Sequence, residues 1–171
     1  SVAFDDSVGY SWYHSMQNRV EKRFSKGYTI QGAYTWSKSM AANSFNNSSD
    51  PMPYETISDL DRLHRLTGSG IWELPFGKGK KFASDAPTAV DYIIGGWQVN
   101  TITTIQTGTP LSVRGANNFT INWPDLLRDP TLKGENRGVK KWFDTTAFAN
   151  PPDFVIGNAP RTLPNTRGPG M

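Results

Sequence analysis

Two histidines, a scatter of carboxylates and a few glycine-rich triplets are the side-chain chemistry available in this 171-residue chain. Asp59, Asp61 and His64 lie close in sequence and suggest a metal or acid–base cluster. On an extended strand, however, Asp61 and His64 point to opposite faces. His14 is the other histidine, so a multi-histidine metal site is excluded, and no metal or cofactor is expected. Gly68-Ser69-Gly70 is not a nucleophile elbow, because position 67 is Thr and the context is strand rather than strand–turn–helix. Gly77-Lys78-Gly79-Lys80 lacks the spacing and the closing Lys-Ser/Thr of a phosphate loop. Glu21, Glu55, Glu73 and Asp125 offer carboxylates for a glycosidase pair, but nothing in their spacing sets the separation such a pair needs. With no cysteine there is no thiolate nucleophile or disulfide framework. The expectation is a chain that is not an enzyme. Glycoside hydrolysis is the fallback if it stands alone.

The elements that would have to position these residues read as strands. In Tyr13–Met40 two extended runs flank the short turn Ser25-Lys26-Gly27. Tyr28, Ile30, Gly32, Tyr34 and Trp36 share one parity of the second run, and Thr29, Gln31, Thr35 and Ser37 the other. A period of two with one apolar and one polar face marks a half-buried strand. The first run, about 12–24, has Trp12, Met16, Val20 and Phe24 on its even face, interrupted by Asn18 and by Lys22, whose stem can snorkel. A third strand is expected over about 62–75, with Leu66, Gly68, Gly70, Trp72 and Leu74 on one face and Pro75 as its stop. A fourth is expected over about 92–107, where Trp97, Val99, Thr101, Thr103 and Ile105 oppose Gln98, Asn100, Ile102, Thr104 and Gln106. Residues 1–107 thus hold four antiparallel strands and their connections. Residues 108–171 are a long Pro-, Gly- and Asn-rich region without period, too long for an ordinary loop in a compact domain.

Composition agrees with β structure: 12% aromatic, 36% hydrophobic, with 16 glycines and 12 prolines. Net charge is +3 and dispersed, and Lys78-Gly79-Lys80-Lys81 is too short a basic cluster to imply nucleic acid. No apolar run is long enough for a membrane helix, and Ser1-Val2-Ala3-Phe4-Asp5-Asp6 has no leader-peptide character. The mean hydropathy of −0.53 does not exclude a membrane strand, since half of such a strand is polar. A tight turn at 25–27 and a moderate connection near 76–90 alternate with long ones at 41–60 and after 107, the asymmetry of up-and-down outer-membrane barrels. Tyr34, Trp36, Trp72 and Trp97 fit an interfacial girdle, a sandwich core or a sugar-stacking platform. Without further information the soluble core is favoured.

Several segments carry a resemblance that changes that balance. They are Val20-Glu21-Lys22-Arg23-Phe24-Ser25-Lys26-Gly27, Tyr34-Thr35-Trp36-Ser37-Lys38-Ser39, Asp59-Leu60-Asp61-Arg62-Leu63-His64-Arg65 and Glu73-Leu74-Pro75-Phe76-Gly77-Lys78-Gly79-Lys80. Further on come Gly95-Gly96-Trp97-Gln98, Gln106-Thr107-Gly108-Thr109-Pro110, Trp142-Phe143-Asp144-Thr145-Thr146-Ala147-Phe148, Gly157-Asn158-Ala159 and Arg167-Gly168-Pro169-Gly170. In this order the chain resembles the barrel of TonB-dependent outer-membrane receptors, in particular the Oar-like group that carries a carboxypeptidase-regulatory domain. The resemblance implies an all-β fold of antiparallel up-and-down strands, part of a transmembrane β-barrel with long irregular loops. It implies an interior fragment of that barrel, located in the bacterial outer membrane and taking part in nutrient uptake, and unable to transport alone because four strands cannot close. The partners it implies are outer-membrane lipid, the remainder of the barrel with its plug, and TonB through the parent protein. A glycan or other nutrient is the expected ligand. Tyr34, Trp36, Trp72 and Trp97 become membrane-interface aromatics, while Trp123, Asp125, Arg128 and Trp142 are the ligand candidates in the outer loops. The alternative is a stand-alone secreted β-rich protein, either glycan-binding or a carbohydrate-active hydrolase.

Overall fold

The computed structural model describes residues 7–46, 49–115 and 123–170, so the opening Ser1–Asp6 stretch lies outside the described residues. Its largest element is an antiparallel sheet in the spatial order β1-β2-β4-β5, with a short β3 paired to β2. The strands are β1 (Tyr10–Ser25), β2 (Tyr28–Ala42), β3 (Thr56–Ile57), β4 (His64–Glu73) and β5 (Gln98–Gln106). Only two residues separate β1 from β2. Lys26 and Gly27 both have positive φ, 55° and 86°, as a type I′ hairpin turn requires. Gly27 adopts this at no steric cost, and its carbonyl also accepts the Glu73 N–H at 2.8 Å.

The register sorts the side chains. Tyr28, Ile30, Gly32, Tyr34 and Trp36 lie opposite Trp72, Gly70, Gly68, Leu66 and His64. In turn Leu66, Gly68, Gly70 and Trp72 lie opposite Ile105, Thr103, Thr101 and Val99. Directly paired residues share a face, so even positions of β2 and β4 and odd positions of β5 form one apolar face. The other face carries Thr29, Gln31, Thr35, Arg65, Thr67, Ser69, Asn100, Thr104 and Gln106, with Ala33, Ile71 and Ile102 as its apolar members. β1 follows the same division: the Lys22 ammonium sits 3.4 Å from the Tyr28 ring centroid, whereas Arg19 lies with Gln31 and Ser69.

The fourth strand differs from the sequence expectation. Residues 92–97 are not strand: α1 (Thr88–Ile94) occupies the connector, and β5 starts at Gln98. Pro87 fits ahead of a first helical turn and its carbonyl accepts from the Val90 and Asp91 N–H groups at 2.8 and 3.0 Å. The Asp91 carboxylate ties the helix to the β4 side of the connector by accepting the Lys78 N–H at 2.6 Å. Trp97 Nε1 donates to the Ile93 carbonyl at 2.7 Å, closing the helix end before Gly96 turns the chain into β5. β4 is shorter than 62–75: it starts at His64, with Arg62 and Leu63 still bound to Ser37 through their carbonyls at 2.8 and 3.0 Å, and it stops at Glu73, two residues before Pro75.

The chain divides into two units that interleave along the sequence instead of following one another: 16–36 with 64–106, and 1–15 with 37–63 and 107–171. The first is the sheet with its tight turn and the α1 connector. The second contains β3, the two-residue strands β6 (Asp125–Leu126) and β7 (Phe148–Ala149), and 3₁₀ turns at Gly134–Asn136 and Thr145–Ala147. Among the described residues the buried core side chains are in this second unit: Ala41, Ala42, Trp123, Ala147, Ala159 and Leu163, with Ser37, Thr56, Asp61, Thr162 and Thr166 among them. The described residues after 107, devoid of sequence period, are therefore held by polar contacts around a small core.

Candidate functional site

Three features could do work: the apolar face of the sheet, its polar face, and the loop unit. On the apolar face large side chains stand uncovered. Ile30 is 53% exposed, and Trp36, Leu66, Trp72, Val99 and Ile105 are comparably open. Tyr28 and Trp72 mark the turn end, and Tyr34 and Trp36 the opposite end. Between them small residues interrupt the apolar side chains: Gly32, Gly68 and Thr103 sit side by side, and Gly70 lies between Ile30 and Thr101. Tyr28 and Trp36 are eight residues apart, roughly 27 Å of strand, or about 21 Å in height at a tilt near 40°. That is close to the ~25 Å apolar band, flanked by aromatic girdles, of a membrane barrel. Tyr34, Trp36 and Trp72 thus lie on one face at its two ends. Trp97 is an exposed side chain in the turn-end connector. The Tyr34 hydroxyl bonds His64 Nδ1 at 2.8 Å with the rings stacked, giving each a polar partner on an apolar surface.

The polar face carries a cavity. Its volume is about 510 Å³, and it is lined by Arg19, Gln31, Thr67, Ser69, Ile102 and Thr104 among others. Hydroxyl, amide and guanidinium groups, with Glu21 paired to Arg19 at 3.2 Å and to Arg23 at 4.0 Å, make a wettable wall suited to a water-filled interior.

The loop unit is organised by a buried ion pair. Asp61 is fully buried, and its Oδ2 accepts from Arg167 Nη2 at 2.6 Å while Oδ1 accepts from the Ser39 N–H at 2.6 Å. Arg167 Nη1 donates to the Asp61 and Gly108 carbonyls at 3.1 and 3.3 Å. Its own carbonyl accepts from Trp142 Nε1 at 2.6 Å and Arg137 Nη2 at 3.2 Å, and Arg137 lies 3.8 Å over the Trp142 ring. At Gly108 an added Cβ would collide with the Gly168 carbonyl, so a side chain cannot be accommodated there. Segments far apart in sequence, around 61, 108, 142 and 167, therefore meet at one node. A hydroxyl bridge, Thr56 Oγ1 to Thr162 Oγ1 at 2.6 Å, pins β3 to the same unit.

This placement revises the Asp59/Asp61/His64 cluster. Asp61 lies outside β4 and is committed to Arg167, and His64 bonds Tyr34. Among the described residues no group of three His, Asp or Glu side chains could hold a metal ion.

The four loop candidates all lie in the second unit but do not converge on one point as exposed groups. Trp123 is buried at 7% exposure, and among the described residues its Nε1 has no hydrogen-bond partner. Asp125 Oδ1 accepts the Asn158 N–H at 3.1 Å while Asn158 Oδ1 accepts the Leu126 N–H at 2.7 Å, a reciprocal clasp beside β6. Arg128 donates to Asp144 Oδ2 at 2.8 Å and Thr146 Oγ1 at 2.5 Å and keeps an exposed side chain. Those bonds, Arg128 first and Thr146 next, hold the Asp144 carboxyl down at about 2. Asp129 is likewise lowered, mainly by the Thr131 hydroxyl. Trp142 is half-buried beneath Arg137. Sequence reading missed the Asp61–Arg167 pair because the two residues are remote in the chain and neither sits in a periodic segment.

No curated protein and no solved structure matches the chain. A family model described as an outer membrane beta barrel domain matches it from residue 1 to residue 171. The two-faced antiparallel sheet and the full-length match lead to one assignment: the chain belongs to the outer membrane β-barrel domain family.

Proposed function

We propose that the chain serves as wall and outer surface of a TonB-dependent receptor of the Oar-like kind, taking part in nutrient uptake. It would work only with the rest of the barrel and a plug, through which TonB acts. The observation that carries the reading is the division of labour at the two ends of the strands. At the Tyr28–Trp72–Val99 end the connections are a two-residue turn and the α1 connector. At the other end the chain leaves into the segments that build the polar-bridged loop unit. In a receptor barrel the tight turns face the periplasm and the long loops face outward, where ligand is met.

The polar face would line the passage, with Arg19, Gln31, Thr67, Ser69 and Thr104 contacting solute or plug. In the loops Arg128 is the most accessible of the four ligand candidates. Trp142 and Asp125 are partly accessible, and Trp123 would act by supporting the fold. No step in this role needs chemistry, so the chain is proposed to be non-enzymatic.

The test is uptake in the native cell. A strain lacking the gene is compared with its parent for growth on a panel of limiting nutrients, glycans included, with and without a protonophore. The reading expects one nutrient whose energy-dependent uptake is lost and is restored by the intact gene. Equal growth on every nutrient, or uptake insensitive to the protonophore, would sink it.

A further inference from the structure

We propose that the turn end of the apolar face is a binding site for an anionic phospholipid, with one acyl chain in a groove beside Gly70 and the phosphate on Lys22. The groove, about 510 Å³, runs over Tyr28, Ile30, Gly70, Trp72, Val99 and Thr101. It exists because position 70 has no side chain between Ile30 on one neighbour and Thr101 on the other. Its floor is apolar and uncovered, and Trp72 and Tyr28 stand at its turn end, the depth at which aromatic rings meet lipid headgroups.

The charge at that rim selects the occupant. Lys22 Nζ rests 3.4 Å from the centroid of the Tyr28 ring, so an ammonium is held at the mouth of the groove. The nearby carboxylates are already engaged: Glu21 by Arg19 at 3.2 Å and Arg23 at 4.0 Å, and Glu73 by Lys80 at 3.0 Å. Among the described residues no carboxylate pairs with Lys22, and Lys26 in the turn adds a second cation two residues from Tyr28. An apolar slot that ends at an aromatic ring carrying an unneutralised ammonium matches an acyl chain joined to a phosphate. A zwitterionic lipid brings its own cation to the same place and gains less. The site is independent of what the barrel transports.

The experiment places the full-length protein in phosphatidylcholine vesicles containing a minority of either brominated phosphatidylglycerol or brominated phosphatidylcholine. Quenching of Trp72, taken as the difference from Trp72→Phe, reports the lipid in the groove. We expect phosphatidylglycerol to be enriched about fivefold, the effect of one lysine near an anionic surface. Lys22→Gln should remove the preference while leaving strand content by circular dichroism unchanged. Gly70→Leu, which fills the groove, should reduce quenching by both lipids. The control Lys140→Gln, in the loop unit, should leave the preference intact. Equal quenching by the two lipids, an unchanged preference in Lys22→Gln, or an equal loss in Lys140→Gln would each overturn the proposal.

Discussion

Replacing Asp61 by Asn should loosen the loop unit far more than any exposed change. The substitution removes the negative charge but keeps a carbonyl that can accept the Ser39 N–H, so the loss falls on the Arg167 contact, 2.6 Å in the native protein. Removing one partner of a buried ion pair costs about 3–5 kcal/mol, because the other charge stays buried and uncompensated. Arg167 is 16% exposed and retains the Asp61 and Gly108 carbonyls as acceptors, which argues for the lower end. A loss of about 3 kcal/mol corresponds to roughly a hundredfold in the local opening equilibrium. Hydrogen exchange reads this directly at the Leu111, Leu163 and Gly168 N–H groups, which bond Thr166, Leu111 and Thr109 carbonyls at 2.9, 2.8 and 2.9 Å. Asp61→Leu combined with Arg167→Met should recover most of the protection, since an apolar pair carries no desolvation penalty. Exchange accelerated by less than about fivefold, the scale of an exposed pair, would refute the view that this contact braces the unit.

Three further outcomes follow from the same geometry. Gly108→Ala should open the 107–111 and 166–168 segments to limited proteolysis, because the new methyl group would collide with the Gly168 carbonyl; an unchanged cleavage pattern would contradict this. Asp144 is depressed when folded, so its bonds to Arg128 and Thr146 contribute fully above the ordinary value of 3.8 and are lost as pH falls through about 2; the carboxyl carbon resonance should titrate near 2, and a midpoint at the ordinary value would be inconsistent with those two bonds. Thr103→Arg, at the middle of the apolar face, should cost about 2–4 kcal/mol in urea unfolding from vesicles, whereas Ile102→Arg, its neighbour on the polar face, should cost little. Equal costs, or the greater cost at the isoleucine, would invert the assignment of faces.

The strands were legible in the sequence where alternation was strong. Tyr28 to Trp36 and Leu66 to Trp72 keep one parity through their whole length, and Gly27 signals the turn. The region 92–97 misled because Tyr92-Ile93-Ile94 is apolar enough to pass for strand, while Pro87 and the Gly95-Gly96 pair, which bound a single helical stretch, lie outside its period. The loop unit was nearly opaque. Its order rests on Asp61–Arg167, Thr56–Thr162 and Asp125–Asn158, contacts between residues far apart in the chain that no local pattern announces. Its motifs were visible as strings, but their meeting at one node was not.

The most direct test of the membrane assignment uses the absence of native cysteine. Single cysteines placed in turn from position 66 to position 72 of β4 and spin-labelled in bilayers would report collisions with lipid-soluble oxygen and with a water-soluble nickel chelate. The account predicts a period of two, with positions 66, 68, 70 and 72 favouring oxygen and 67, 69 and 71 favouring the chelate. Uniform accessibility, or the opposite phase, would contradict a sheet whose even face in β4 meets lipid.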